Sequence, residues 1–231
     1  MKRPFNYFVI LIPLLLAPAS GVFASAAATS TPAKIIMLDV PFVSQAPLKE
    51  WSNPRFQDAC EEASVFMVIK WIKGEKIGTT TKALNKARNE ILSLSQYQSK
   101  KFDNFHDTSA ADTAERLIKG YYQHRRFVVK ENVTLDDIIK ALKNNQAVIL
   151  PTNGQLLNNP YFTAPGPINH MLVVKGYDEN KKVFIVNDPG TKKGENFKYQ
   201  AETLKTALAD YPSGMHKTRE NIEKTAIFVR K

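Results

Sequence analysis

Cys60, His170 and Asp188, with Gln45 or Gln57, form a set that could carry thiol chemistry. Cys60 is the only cysteine of the chain, so it has no internal disulfide partner and is inert, intermolecular or reactive. It stands in Gln57-Asp58-Ala59-Cys60-Glu61-Glu62-Ala63-Ser64-Val65-Phe66-Met67, where a polar stretch gives way to an apolar run. That pattern starts a helix, and the positive end of a helix dipole favours a thiolate. A working thiolate also needs a base near the sulfur and a third group that orients the base. The oxyanion formed on attack needs donors: the Cys60 backbone N–H is one, and a glutamine amide, from Gln45 or Gln57, suits the second.

His170 and Asp188 qualify as base and orienter through strand pairing. His170 opens an apolar run ending at Tyr177, and Lys182 to Asn187 forms the next. With a three-residue loop of Asp178 to Asn180, Tyr177 pairs with Lys181 and His170 faces Asp188 at the open end of the hairpin. Facing Cβ atoms in such a pair are about 4.5–5.5 Å apart, close enough for a carboxylate to hold an imidazole. A shift of register or a bulge would bring Asn187 opposite instead. His106, His124 and His216 have no companion motif and read as structural. The four histidines lack zinc-ligand spacing, no Gly-rich phosphate loop is present, and no metal or cofactor is expected.

The elements that must position this set are legible in outline. Ile35 to Val40 reads as a strand and Ala46 to Phe56 as a loop. Asp58 and Glu61 have capping-box spacing, which predicts a helix from there to about Ile72, buried on most sides and stopped by Gly74. Ser109-x-x-Asp112 predicts a helix towards Tyr122, and Thr134-x-x-Asp137 one over Leu135 to Asn144. Strands are predicted over Arg126 to Lys130, Ala147 to Leu150, His170 to Tyr177, Lys182 to Asn187 and Thr225 to Arg230, with a helix over Leu204 to Tyr211. Helices come early and strands cluster late, which predicts an α+β fold with an antiparallel sheet.

Residues 1–26 read as a secretory signal, with Lys2 and Arg3 ahead of an apolar run and small residues at Val22-Phe23-Ala24 and Ala24-Ser25-Ala26; the alternative is a retained anchor. Residues 27–34 read as a flexible leader and 35–231 as one domain. The formal charge of +10 is dispersed rather than gathered into a stripe with interleaved aromatics, so nucleic acid is not expected as a partner. Attraction to an anionic cell envelope, or to acidic substrates, is the milder expectation.

Four stretches carry a resemblance to a known family: Val40 to Gln45, Asp58 to Ser64, Gly166 to Asp178 and Ile185 to Gly190. With them the chain resembles the papain-like family thirty-nine of the cysteine peptidases, and within it the stand-alone bacterial relatives of the double-glycine leader peptidases. The resemblance implies a papain-like fold, its nucleophile helix packed on a C-terminal antiparallel sheet. It implies that Cys60 is the nucleophile, His170 the base and acid, Asp188 the orienter and Gln45 the oxyanion-hole residue. Two departures stand out. Glu61 occupies the place of a glycine after the nucleophile, and should raise the thiol pKa unless it points away to cap the helix. The Gln45-to-Cys60 separation of 15 is long for the clan; Gln57, three residues before Cys60, has little chain with which to curl into the hole. The function expected is that of an exported thiol hydrolase cutting a peptide or protein substrate. A catalytically idle binding module, a cell-wall amide hydrolase and an acyl transferase are the alternatives, and trimming of cytoplasmic leader peptides is not expected of an exported protein.

Overall fold

The computed structural model describes residues 35–216 and 223–231, besides Met1 and Pro4; the expected signal and leader otherwise lie outside the described residues. No helix among the described residues is long and apolar enough to cross a membrane.

Seven strands form one antiparallel sheet: β1 (Ile35–Met37), β2 (Phe127–Lys130), β3 (Gln146–Asn153), β4 (Asn169–Asp178), β5 (Val183–Asn187), β6 (Phe197–Gln200) and β7 (Ala226–Arg230). Their order is β2-β7-β3-β4-β5-β6, and β1 pairs with residues 176–178 of β4, beyond the end of its pairing with β3. β4 is buried along its whole length. The helices are α1 (Pro54–Gln57), α2 (Cys60–Ile72), α3 (Thr81–Phe102), α4 (Ala110–Thr113), which runs on as a π-helix (Ala114–Tyr121), α5 (Leu135–Lys143) and α6 (Ala201–Ala207). The fold is α+β, with α2 packed on β4 and α3 against α2.

All of α2 except Lys70 and Ile72 is buried, as its nearly all-round apolar composition requires. It is tied to the sheet by Ser64, whose Oγ donates to the Met171 carbonyl at 3.2 Å. Gly74, at φ +67°, ends the segment in the left-handed region that glycine enters without strain. Behind α2, α3 buries Ala87, Ile91, Leu94, Ser95 and Gln98, spaced by three and four residues on one face.

Three sequence expectations are corrected. Asp58 does not cap the nucleophile helix. Asn53 caps α1, with Pro54 at its first position, and that turn makes Asp58 the closing residue of α1. Ala59 then precedes Cys60 with no side-chain cap, and the Asp58 carboxylate instead pairs with His106 Nδ1 at 2.9 Å. The β4–β5 loop holds four residues rather than three. Asp178 Oδ1 accepts from the backbone N–H groups of Asn180 and Lys181, which keeps Asp178 in the ladder opposite Val183. Tyr177 therefore pairs with Phe184, and a bulge at Lys175 shifts the ladder again to Val174↔Val186. The helix expected over Leu204 to Tyr211 lies earlier, because Leu208 bridges to Thr152 and Ala209 N donates to the Pro151 carbonyl, straightening the chain. β6 and α1 were not expected at all. The capping box at Thr134 and Asp137 forms completely, whereas Ser109 forms only half of one: the Asp112 carboxylate turns to Arg116 and Ser213.

Candidate active site

The chain from Leu38 to Gln45 is pinned across the sheet before it enters the site. The buried Lys175 Nζ donates to the Val40 carbonyl at 2.7 Å. Asn187 Nδ2 donates to the carbonyls of Val40 and Pro41, each at 3.0 Å. The Pro189 carbonyl accepts from Gln45 N at 2.9 Å and from Ser44 Oγ at 3.2 Å. Gln45 is thus tied to the loop carrying Asp188. The Gln45 side chain is buried, and its Nε2 donates to the carbonyls of Phe56 and Gln57 at 2.9 and 2.8 Å, fastening the end of α1 just ahead of Cys60. Both amide hydrogens are spent there, and Oε1 is buried without a partner. Gln57 Nε2 donates to the Trp51 carbonyl at 2.8 Å and keeps a second N–H.

His170 and Asp188 meet, although not by facing each other across the ladder. β5 ends at Asn187, opposite Val173, so Asp188 sits in the loop beyond and its carboxylate reaches His170 from there. His170 Nε2 lies 2.8 Å from Asp188 Oδ1 in a pair almost wholly out of water. Oδ1 also accepts from Gly190 N at 3.0 Å, while Oδ2 accepts from Tyr199 Oη at 2.7 Å and Asn159 Nδ2 at 3.1 Å. Burial would raise the Asp188 pKa, but the His170 charge and these donors outweigh it and hold the carboxyl below its ordinary value. An ionised carboxylate only accepts, so the neutral form of His170 carries its hydrogen on Nε2, and in that form the Nδ1 lone pair is left for other work. Phe162 stands edge-on to the imidazole, ring centroids 5.3 Å apart. A Cβ on Gly190 would lie 2.9 Å from both the His170 and Phe162 rings, so this position admits only glycine without a shift.

The Cys60 side is arranged differently. Cys60 is the first residue of α2, where a backbone N–H has no partner within the helix. Its Sγ lies 3.1 Å from Glu61 Oε2, and Tyr211 Oη donates to Glu61 Oε1 at 2.7 Å. Glu61 therefore points inward onto the thiol rather than away to a cap. Burial pushes the thiol well above its ordinary value and Glu61 adds to this, while the Met171 backbone, next to His170, acts the other way. Burial likewise pushes the Glu61 carboxyl far above the usual range, helped by Glu62 and Asp107. Glu62, also fully buried, accepts from Ser95 Oγ and Gln98 Nε2 and is raised by burial to about 7.

Cys60, His170, Gln45 and Gln57 line one cleft of about 710 Å³, together with Trp51, Tyr161, Phe162, Lys192 and Lys193. Of the remaining histidines, His216 pairs with Asp107 at 2.8 Å and His124 Nε2 lies 2.9 Å from the Arg230 carbonyl. Among the described residues no cluster of three His, Cys, Asp or Glu side chains could hold a metal ion. Sequence reasoning missed Asn159, Tyr199 and Tyr211; their neighbourhoods carry no motif, and only the sheet and the 208–211 bend bring them in. For Glu61 the signal was its own position after the cysteine.

The model of the Peptidase_C39 like family matches residues 37–213, a span containing every residue of this cleft. The chain belongs to that family. In three dimensions this C39-like protein is similar to the crystal structure of a protein assigned as a C39-like peptidase from Bacillus anthracis, with a TM-score of 0.54 at 17% identity. That likeness covers 86% of this chain and 98% of the other, and it speaks for the fold. No curated protein matches the chain.

Proposed function

We propose that this protein is a thiol hydrolase that cuts peptide or amide bonds with Cys60 as nucleophile, His170 as base and acid, and Asp188 as orienter. The observation that carries the reading is the buried His170–Asp188 pair at 2.8 Å, with its imidazole lining the same cleft as Cys60. His170 Nδ1 takes the thiol proton, and the thiolate attacks the substrate carbonyl carbon. The C–N bond breaks as the imidazolium returns that proton to the leaving amine. A water molecule, deprotonated by His170, then cleaves the thioester and restores the thiol. The oxyanion of each step is held by the Cys60 backbone N–H and the Gln45 amide, one of whose hydrogens exchanges the Gln57 carbonyl for the substrate oxygen.

Membership of a peptidase-like family supports a peptide or protein substrate. The N-terminal pattern supports action outside the cytoplasm, where the basic surface would draw the protein to an anionic envelope. A second reading, a peptide-binding module whose thiol stays protonated, draws on the Cys60–Glu61 contact.

Iodoacetamide labelling near neutral pH separates the two. Rapid labelling of Cys60 that His170→Ala slows by about tenfold or more supports the hydrolase. Labelling that follows an ordinary thiol titration in both proteins supports the binding module. Profiling of extracellular peptides from cells with the wild-type protein or Cys60→Ala then reads out the cleaved bonds.

A further inference from the structure

Glu61 is a side chain in contact with the Cys60 sulfur that the proposed reaction does not use. It is fully buried, and it is an acid beside an atom that must become an anion. The titratable groups that bear most on it are acidic or weakly acidic. Cys60 and Glu62 come from its own helix, Asp107 from the connection between α3 and α4, and Tyr211 from the chain after α6. Asp107 is itself taken by His216 Nδ1 at 2.8 Å. No ion pair among the described residues includes Glu61. Among the described residues its donors are the Tyr211 hydroxyl and the thiol, whereas the ionised Asp188 has four: His170 Nε2, Gly190 N, Tyr199 Oη and Asn159 Nδ2. A buried carboxylate needs several donors or a cation, and Glu61 lacks both.

We propose, on the reading that Cys60 is the nucleophile, that Glu61 works as a neutral carboxylic acid that donates its O–H to the thiolate. His170 Nδ1 takes the sulfur's proton and becomes imidazolium. Glu61 keeps its own proton, which stays on Oε2 and points at the sulfur anion 3.1 Å away. Tyr211 holds the other oxygen in place. No net proton passes through Glu61, so it returns unchanged when the thiol is restored. The upward displacement of its carboxyl by burial and by Glu62 and Asp107 agrees with this neutral form. The glutamate that as a carboxylate would oppose the thiolate becomes, when protonated, one of its hydrogen-bond donors.

The test is the pH dependence of Cys60 alkylation in wild type, Glu61→Gln, Glu61→Leu and His170→Ala. Glutamine keeps a neutral donor and should label within about threefold of wild type at about pH 6, with the Gln-to-wild-type ratio rising as the wild-type carboxyl ionises at higher pH. Leucine is neutral but cannot donate, and should label at least about tenfold more slowly than glutamine at that pH. Loss of reactivity of about tenfold or more in Glu61→Gln at about pH 6 overturns the proposal, because a carboxylate would then be required. Equal rates for Gln and Leu overturn it too. The His170→Ala arm reports separately on the base: unchanged labelling there removes the hydrolase reading, while the Gln and Leu comparison still reports on the donor. Should a Glu61 variant fail to fold, ¹³C titration of the wild-type glutamate carboxyls decides the matter. A Glu61 carboxyl already ionised at about pH 6 rules the donor out, and one still protonated supports it.

Discussion

Asp188 stands behind His170 and Glu61 behind Cys60, and both carboxyl groups are completely buried. Asp188 accepts four hydrogen bonds and is held below its ordinary pKa; Glu61 has two weakly acidic partners and two acidic neighbours, and is driven far above it. Burial acts on both in the same direction. What separates them is the charge beside each and the count of donors: His170 and four donors hold Asp188 as a fixed anion, while the acidic Glu62 and Asp107, with only two weak donors, keep Glu61 a neutral acid. Paired groups pushed apart in this way are what acid–base chemistry at a single pH requires.

The largest expected effect comes from removing the group that the anionic side positions. His170→Ala should lower peptide hydrolysis by on the order of 10³-fold or more at neutral pH, measured as kcat/KM on a cleaved peptide, with far-UV circular dichroism unchanged. Asp188→Asn breaks the comparison itself. It removes the charge that fixes the imidazole tautomer and should lower kcat on the order of 10²- to 10³-fold, with KM little changed.

Glu62→Gln sharpens the acidic side through stability. The folded Glu62 carboxyl is raised from 4.5 to about 7, so the folded state binds more protons than the unfolded one between those values. Its contribution is complete below the unfolded pKa and is lost as pH rises to about 7, so wild-type stability should fall over that window. Glu62→Gln should flatten that slope, with a difference of about 3 kcal/mol across it in urea titrations. Asp188 has the opposite sign: with a lowered folded pKa, its contribution is present above the ordinary carboxylate range and lost as the solution is acidified through the folded value. The smallest effect is Tyr199→Phe, which removes one of the four Asp188 donors. It should cost about 1–2 kcal/mol of stability and move the acid limb of the activity profile upward, read from thermal melts and kcat/KM against pH.

Much of the cleft was legible before the fold. The apolar run after Cys60 marks a buried helix whichever way it packs, although the Asp58–Glu61 spacing sets its start too early. The strands around His170 and Asp188 are apolar enough to require burial. The register was not legible, because Asp178 decides it by binding two turn amides, and a three- or four-residue loop has the same composition. His170 and Asp188 still meet, since the carboxylate reaches back from the loop after β5. The role of Asp58 is hidden for a similar reason: the spacing to Glu61 fits a capping box, but α1 claims Asp58 first.

Glu61 shows most clearly where local reading ends. Its neighbours along the chain made it a candidate cap or a threat to the thiolate. Its direction is set by Tyr211, 150 residues later, whose hydroxyl is brought over by the bend after α6. Asn159 and Tyr199 likewise reach Asp188 from a loop and from a strand, β6, whose short polar–apolar pattern gives little signal. Residue types, helix starts and apolar runs depend on interactions within a few positions, so they are written in the chain: a lone thiol at a helix N-terminus, a histidine and an aspartate on neighbouring strand ends. Whether each carboxyl is an anion or a neutral acid depends on the donors and charges that distant segments bring together in a space without water, and only the packed structure decides that.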